Sequence, residues 1–174
     1  MGSQFETTQG RDCNAQHTHT TPHQLMKYKF AEITVKTIRL HEQSAQPANS
    51  PEHFRELWEK YVTASDWYDP DKEALVVFLL NSRYNCIGFN LVSLGGLTET
   101  SAHPREILRP AIAAAAHSIA IAHNHPSGDP TPSDADRRVT RRQREACETM
   151  GIPLLDHVVI GNGTHFSFRE HGML

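Results

Sequence analysis

His123-Asn124-His125-Pro126-Ser127-Gly128-Asp129-Pro130-Thr131-Pro132-Ser133-Asp134-Ala135-Asp136 is the stretch that decides how this chain is read. An apolar tetrad, Ile119-Ala120-Ile121-Ala122, precedes it and reads as a short strand, and a charged helix over roughly 134–150 follows it. Side chains two apart on an extended strand share a face, so His123 and His125 can address one ion. Asp136 supplies a third ligand if the Pro-rich loop 126–132 folds back over the strand end. Two imidazoles and a carboxylate suit zinc, which leaves its fourth position to water in a catalytic site. Pro126, Pro130 and Pro132 stiffen the loop and lower the entropy lost in holding that geometry. A plainer reading covers the same residues: Ser133 as a helix N-cap with acidic residues in the first turn. The two are compatible, because a helix N-terminus presents both residues beside the loop.

Upstream, Ala74-Leu75-Val76-Val77-Phe78-Leu79-Leu80 is a near-continuous apolar run of the kind found in a central buried strand. Asn81 to Asn85 turns it into a second strand, Ile87 to Leu94, which ends at Gly95-Gly96 and is expected to pair antiparallel with the first. Before them, Ser50-Pro51 opens a helix as N-cap and first position, and Phe54, Leu57, Trp58, Tyr61 and Val62 make its apolar stripe. Pro104 to about Ser118 reads as an alanine-rich helix in which Pro110 predicts a kink or a late start. Downstream, strand Leu154–Ile160, turn Gly161-Asn162-Gly163 and strand Thr164–Phe168 form a hairpin. The order strand, strand, helix, strand, helix, strand, strand predicts an α/β sandwich.

Residues 1–24 are polar and expected to be a mobile tail, and 25–49 an N-terminal extension with a strand near 28–40 and a linker containing Pro47. The domain proper is placed at 50–174. His17-Thr18-His19 in the tail has a metal-like spacing but no carboxylate or apolar frame around it. With 17 basic and 20 acidic residues the formal charge is −3, so no overall basic signature points to nucleic acid. No apolar run approaches the ~18 residues of a membrane span, and the N-terminal residues lack the pattern of a secretory signal. Three scattered cysteines argue against a disulfide framework and fit a cytoplasmic location.

The spacing His-x-His, seven residues, Ser, two residues, Asp resembles the metal signature of the MPN/JAMM (JAB-type) metalloproteases. More narrowly, His123-Asn124-His125-Pro126-Ser127-Gly128 with Pro132-Ser133 is similar to the RadC family. So are His103-Pro104-Arg105-Glu106-Ile107 upstream and Asp156-His157-Val158-Val159-Ile160-Gly161 downstream. The resemblance covers about residues 50–174. It implies an MPN/JAMM (cytidine-deaminase-like) sandwich with a mixed, mostly antiparallel sheet flanked by helices. It also implies one Zn2+ held by His123, His125 and Asp136. Longer RadC proteins carry an N-terminal helical DNA-binding-like region that this chain is expected to lack. The JAMM pattern further includes a glutamate at the start of the first central strand. Glu73 stands in that place, and Glu106 is its competitor, with a simple alternative as an ion-pair partner of Arg105.

What the resemblance implies is hydrolysis of an amide or isopeptide bond in a peptide or protein substrate. Glu73 would act as general base and Ser133 as donor to the oxyanion. The other function carried by the RadC name is DNA repair, with zinc structural or vestigial. Arg137, Arg138, Arg141, Arg142 and Arg144 would then contact phosphate, although a solvated face paired with Glu145 and Glu148 explains them equally well. Asp156-His157 reads as a buried pair supporting the sheet rather than as a catalytic pair. Ser127 and Asp129 read as residues that shape the loop. His103 and His117 receive no role. A metallo-β-lactamase pattern is set aside because Ser127-Gly128 stand where it needs Asp-His, and an amidohydrolase barrel needs a longer chain.

Overall fold

The computed structural model describes residues 47–48, 50–96 and 102–174, so His17, His19 and the expected strand near 28–40 lie outside the described residues. Five strands form one sheet in the order β2-β1-β3-β4-β5. They are β1 (Ala74–Leu80), β2 (Cys86–Leu94), β3 (Ser118–Asn124), β4 (Leu154–Ile160) and β5 (His165–Ser167). β1 pairs antiparallel with both β2 and β3, β4 pairs antiparallel with β5, and β3 and β4 alone run parallel. The parallel pair needs a crossover, and α3 (Asp134–Met150) supplies it.

Alternation along the strands sends residues to two helical layers. Val76, Phe78, Leu80, Ala120, Ala122 and Val158 pack with Phe54, Leu57 and Trp58 of α1 (Pro51–Leu57) and the π turn that extends it over Trp58–Val62. Leu75, Val77, Leu79, Ile119 and Ile121 face α2 (Pro104–Ala113) and α3, meeting Ile107, Leu108, Ala111, Val139 and Cys147. The chain is therefore the α/β sandwich expected, with a mostly antiparallel sheet between helices. Pro47 bridges to Asn85 and Ala48 is fully buried, so both residues pack against the β1–β2 turn.

Three elements differ from the sequence reading by more than one residue in length. β3 does not stop at Ala122 but runs through His123 and Asn124, with His123 opposite Leu75 on one side and Val159 on the other. The polar residues stay in the strand because the ladder continues on both flanks at His123 and on the β4 flank at Asn124. α2 starts at Pro104, with Pro110 inside it, and ends at Ala113 rather than near Ser118. Its end is a Schellman motif: Ala115 N–H donates to Ile112 O at 3.1 Å and Ala116 N–H to Ala111 O at 2.9 Å. Ala115 takes φ +49°, the left-handed conformation usually given to glycine, and this turns the chain into β3. β5 is shorter than expected, His165–Ser167.

Candidate metal centre

The sheet and α3 bring four side chains to one point. His123 comes from the end of β3, His125 from just beyond it, Asp136 from the first turn of α3, and Glu73 from the residue before β1. One donor atom from each lies within 4.8 Å of the others. His123 Nε2 is 3.1 Å from His125 Nε2, 3.3 Å from Asp136 Oδ1 and 3.6 Å from Glu73 Oε1. His125 Nε2 is 3.6 Å from Asp136 Oδ2. His123 and Asp136 are buried, whereas Glu73 keeps 24% and His125 17% of its side chain exposed, which leaves the cluster open on their side.

Each member is held by bonds that local sequence explains. His125 Nδ1 donates to the carbonyl of Asp129 at 2.7 Å, which leaves Nε2 as the bare nitrogen facing the cluster. The loop is shaped as expected, with Ser127 Oγ accepting from Asp129 N–H and Asp129 Oδ1 from Thr131 N–H. It is seated on the β4–β5 turn, where Asn162 N–H donates to Gly128 O at 2.9 Å. A Cβ at Gly161 would lie 2.5 Å from that same carbonyl, so only glycine permits this seating.

Asp136 is the third residue of a complete capping box: Ser133 Oγ accepts from Asp136 N–H, and Ser133 N–H donates back to Asp136 Oδ2 at 2.7 Å. Ser133 Oγ–H also donates to Oδ2, at 2.7 Å. The helix-start and ligand readings of this segment thus coincide in one geometry. Burial opposes the charge on Asp136, but whenever His123 is protonated its hydrogen bond and charge, together with the Ser133 bonds, outweigh it and hold the carboxyl well below its usual range.

Two further residues belong to this neighbourhood: Asn124, which received no role of its own from the sequence, and His157, which was read as half of a buried pair with Asp156 and is buried. Asn124 brackets Glu73: its Nδ2 donates to Lys72 O at 3.0 Å and its Oδ1 accepts from Ala74 N–H at 2.8 Å. The residue between the histidines points to the opposite face of the strand and there fixes the backbone that carries the glutamate. His157 is fully buried, with Nε2 2.8 Å from His123 Nδ1 and Nδ1 2.6 Å from Thr140 Oγ1. Burial and the neighbouring His123 push its pKa well below the usual imidazole value, so it is neutral. The adjacent Asp156 has a different task, accepting from Ser167 Oγ–H, His157 N–H and Arg169 N–H to lock β4 to β5.

Other candidates lie apart from this cluster. Glu106 pairs with Arg105 at 3.1 Å and Arg109 at 3.0 Å, and His103 caps α2, accepting from Arg105 N–H at 3.1 Å. His117 is exposed with its ring against Tyr84. Cys86 and Cys147 are free, and burial pushes both thiols up to about 11, which removes them as nucleophiles at neutral pH. The arginines do not form one patch. Arg137, Arg141 and Arg144 line a hollow of about 390 Å³ with Phe168 and Met173. Arg138 and Arg142 lie about 100° further round the helix.

Comparison with known protein families matches residues 48–173 to the RadC-like JAB domain. The chain belongs to this family. It is similar to the UPF0758 protein of Symbiobacterium thermophilum, 50% identical over 102 residues, which are 59% of this chain and 44% of that protein. The UPF0758 protein of Rubrobacter xylanophilus is 50% identical over 104 residues, 60% of this chain and 45% of that one. That of Thermotoga maritima is 43% identical over 104 residues, 60% and 47%. The chain thus spans less than half the length of these relatives. Among the described residues of this RadC-like JAB domain, no helix is long and apolar enough to cross a membrane.

The donor set suits a metal ion. With Nδ1 of His125 protonated, its Nε2 offers only a lone pair, and the carboxylates of Asp136 and Glu73 are acceptors as well. A group of acceptors gathered this closely could hold a metal ion, and two imidazoles with carboxylate are a set that suits zinc.

Proposed function

We propose that this RadC-like JAB domain is a zinc-dependent hydrolase of amide or isopeptide bonds, with a peptide or protein as substrate. The observation that carries the reading is the convergence of Glu73, His123, His125 and Asp136 within 4.8 Å. His123, His125 and Asp136 would hold the ion, one per chain. Zinc bound there supplies Lewis acidity, lowering the pKa of a water toward about 7 and polarising a carbonyl oxygen. Glu73, on the open side of the cluster, takes the proton of the attacking water and returns it to the leaving amine. Ser133 is an exposed residue at the rim, and its Oγ becomes a donor to the developing oxyanion when it turns away from Asp136 Oδ2.

The test is zinc content by elemental analysis, with turnover of a peptide library. About one zinc per chain is expected, lost in a His123→Ala/His125→Ala variant, with turnover that chelation stops. Glu73→Gln is expected to keep the zinc and lose activity by about 10²–10⁴-fold. A folded protein that takes up no zinc when it is supplied would end this reading.

One observation favours a second reading, in which the domain has a DNA-associated accessory role with a structural zinc. Arg137, Arg141 and Arg144 share one face and one hollow, an arrangement suited to phosphate. Two of the three already meet acids, Arg137 with Asp134 at 3.8 Å and Arg144 with Glu148 at 2.9 Å, which weakens the field. Salt-dependent DNA binding lost in an Arg137→Ala/Arg141→Ala/Arg144→Ala variant would support it. No binding at low salt would remove it.

A further inference from the structure

We propose that Thr140 and His157 are positioning residues that fix the tautomer of His123, so that its Nε2 is presented bare to the metal cluster. This inference rests on the zinc reading for its consequence, but not for its geometry.

The direction of the relay follows from one atom that can only accept. Thr140 Oγ1 lies 2.7 Å from the backbone carbonyl of Asp136, one turn back on α3. A carbonyl has no proton, so the hydroxyl proton of Thr140 is spent there. The 2.6 Å contact between Thr140 Oγ1 and His157 Nδ1 must then run the other way, with Nδ1–H donating to the hydroxyl oxygen. A second proton would put a full charge on a ring that is 0% exposed and stacked on Phe168, so the proton on Nδ1 leaves Nε2 bare. Its 2.8 Å contact with His123 is therefore a bond donated by His123 Nδ1–H. In neutral His123 the proton is on Nδ1 and the lone pair on Nε2, the nitrogen that faces Asp136, His125 and Glu73.

Nothing in this chain of bonds has slack. Thr140 and His157 are 1% and 0% exposed, so water cannot substitute for a missing partner. The His157 ring lies parallel to Phe168 at 8° and 4.8 Å between centroids, which sets its plane. The relay starts at the backbone of one cluster residue, Asp136, and ends on the ring of another, His123. His125 reaches the same state by its own route, through the Asp129 carbonyl. Both imidazoles are thus set as Nε2 donors before any ion arrives. Such outer bonds to metal-binding histidines typically carry about 10–100-fold in affinity.

The experiment is long-range ¹H–¹⁵N correlation spectroscopy of the full chain, metal-free and at a pH where its histidines are neutral. It is run for wild type, Thr140→Val and Thr140→Ser, with zinc affinity measured by competition against a chelator. His157 is expected as the Nδ1–H tautomer in wild type and Thr140→Ser. Thr140→Val keeps the shape but removes the acceptor. His157 is expected to move its proton to Nε2 and to push His123 toward Nε2–H, with zinc affinity about 10–100-fold weaker. Circular dichroism checks that the variant is folded. A wild-type His157 in the Nε2–H form would overturn the inference, as would a Thr140→Val protein with unchanged tautomers and affinity. Absence of zinc binding in wild type would overturn the proposed function instead, and the tautomer readout would still decide this inference.

Discussion

Helices α2 and α3 begin and end with the same devices and do different work. Each starts with a side-chain cap and an acidic residue in its first turn: His103 and Glu106 in α2, Ser133 and Asp136 in α3. Glu106 turns outward, 30% exposed, to Arg105 and Arg109. Asp136 turns inward, 2% exposed, to His123 and His125. The local pattern is a helix start in both. What separates them is what each faces: the end of β3 and the residue after it bring two histidines to Asp136, and among the described residues nothing comparable reaches Glu106. A first-turn carboxylate acquires chemistry from tertiary placement, not from its motif.

The largest effect expected from this difference is on metal content. Asp136→Ala should reduce zinc from about one per chain to near none, because it removes one of the three proposed ligands and leaves the cluster short of negative charge. Glu106→Ala should leave zinc unchanged and alter stability by no more than about 0.5 kcal/mol, as expected for exposed ion pairs. Elemental analysis beside a denaturant titration checks both. Equal zinc in Asp136→Ala and wild type would place the ligands elsewhere and erase the contrast.

Much of this was legible in the chain. The apolar run Ala74–Leu80 and the turn residues at 81–85 and 161–163 carried the antiparallel pairs, and the β3–loop–α3 segment carried His123, His125 and Asp136 together. Legibility failed where long-range register decides. His157 sits beside His123 because β3 and β4 run parallel with Ile121 opposite His157, and no local pattern in Asp156-His157 announces that. The competition between Glu73 and Glu106 turns on the same kind of fact, since Asn124 ties the start of β1 to the end of β3 across fifty residues of sequence.

Acid sensitivity offers a second contrast, smaller than metal loss. His157 titrates well below its ordinary 6.5 in the fold because it is buried. Above 6.5 it is neutral in both states and costs nothing. As pH falls below 6.5 the unfolded chain binds a proton that the folded one refuses, and stability drops by up to about 1.4 kcal/mol per pH unit. Asp136, depressed below 3.8, adds stability that is present above 3.8 and lost as pH falls further. Asp156, raised by burial, acts in the opposite sense, its contribution being lost as pH rises above 3.8. The metal-free protein should therefore lose stability on acidification from pH 6.5 to 5, and His157→Phe should flatten that limb whatever it does to the plateau. An unchanged slope in His157→Phe, measured by denaturant unfolding across that range, would assign the acid limb to other groups.

The smallest effect tests the helix ends, where the two helices share a motif and differ by one methyl group. α3 closes with Gly151 at φ +66°, with Gly151 N–H donating to Glu148 O and Ile152 N–H to Cys147 O. α2 closes with the same two bonds around Ala115 at φ +49°. A left-handed alanine costs about 1–2 kcal/mol in backbone sterics, offset in part by the greater unfolded-state entropy of glycine. Ala115→Gly should thus stabilise by under about 1 kcal/mol. Gly151→Ala, which finds nothing within 4 Å of its new Cβ, should destabilise by about the same amount. Shifts of this size move Tm by about 2–4 °C in a chain of this length, within reach of calorimetry. Opposite signs are required, because the backbone conformation is common to both sites and only the residue is exchanged. If both substitutions destabilised, Ala115 would have to be held by packing of its methyl group, and α2 would owe its early end to that contact rather than to the turn itself.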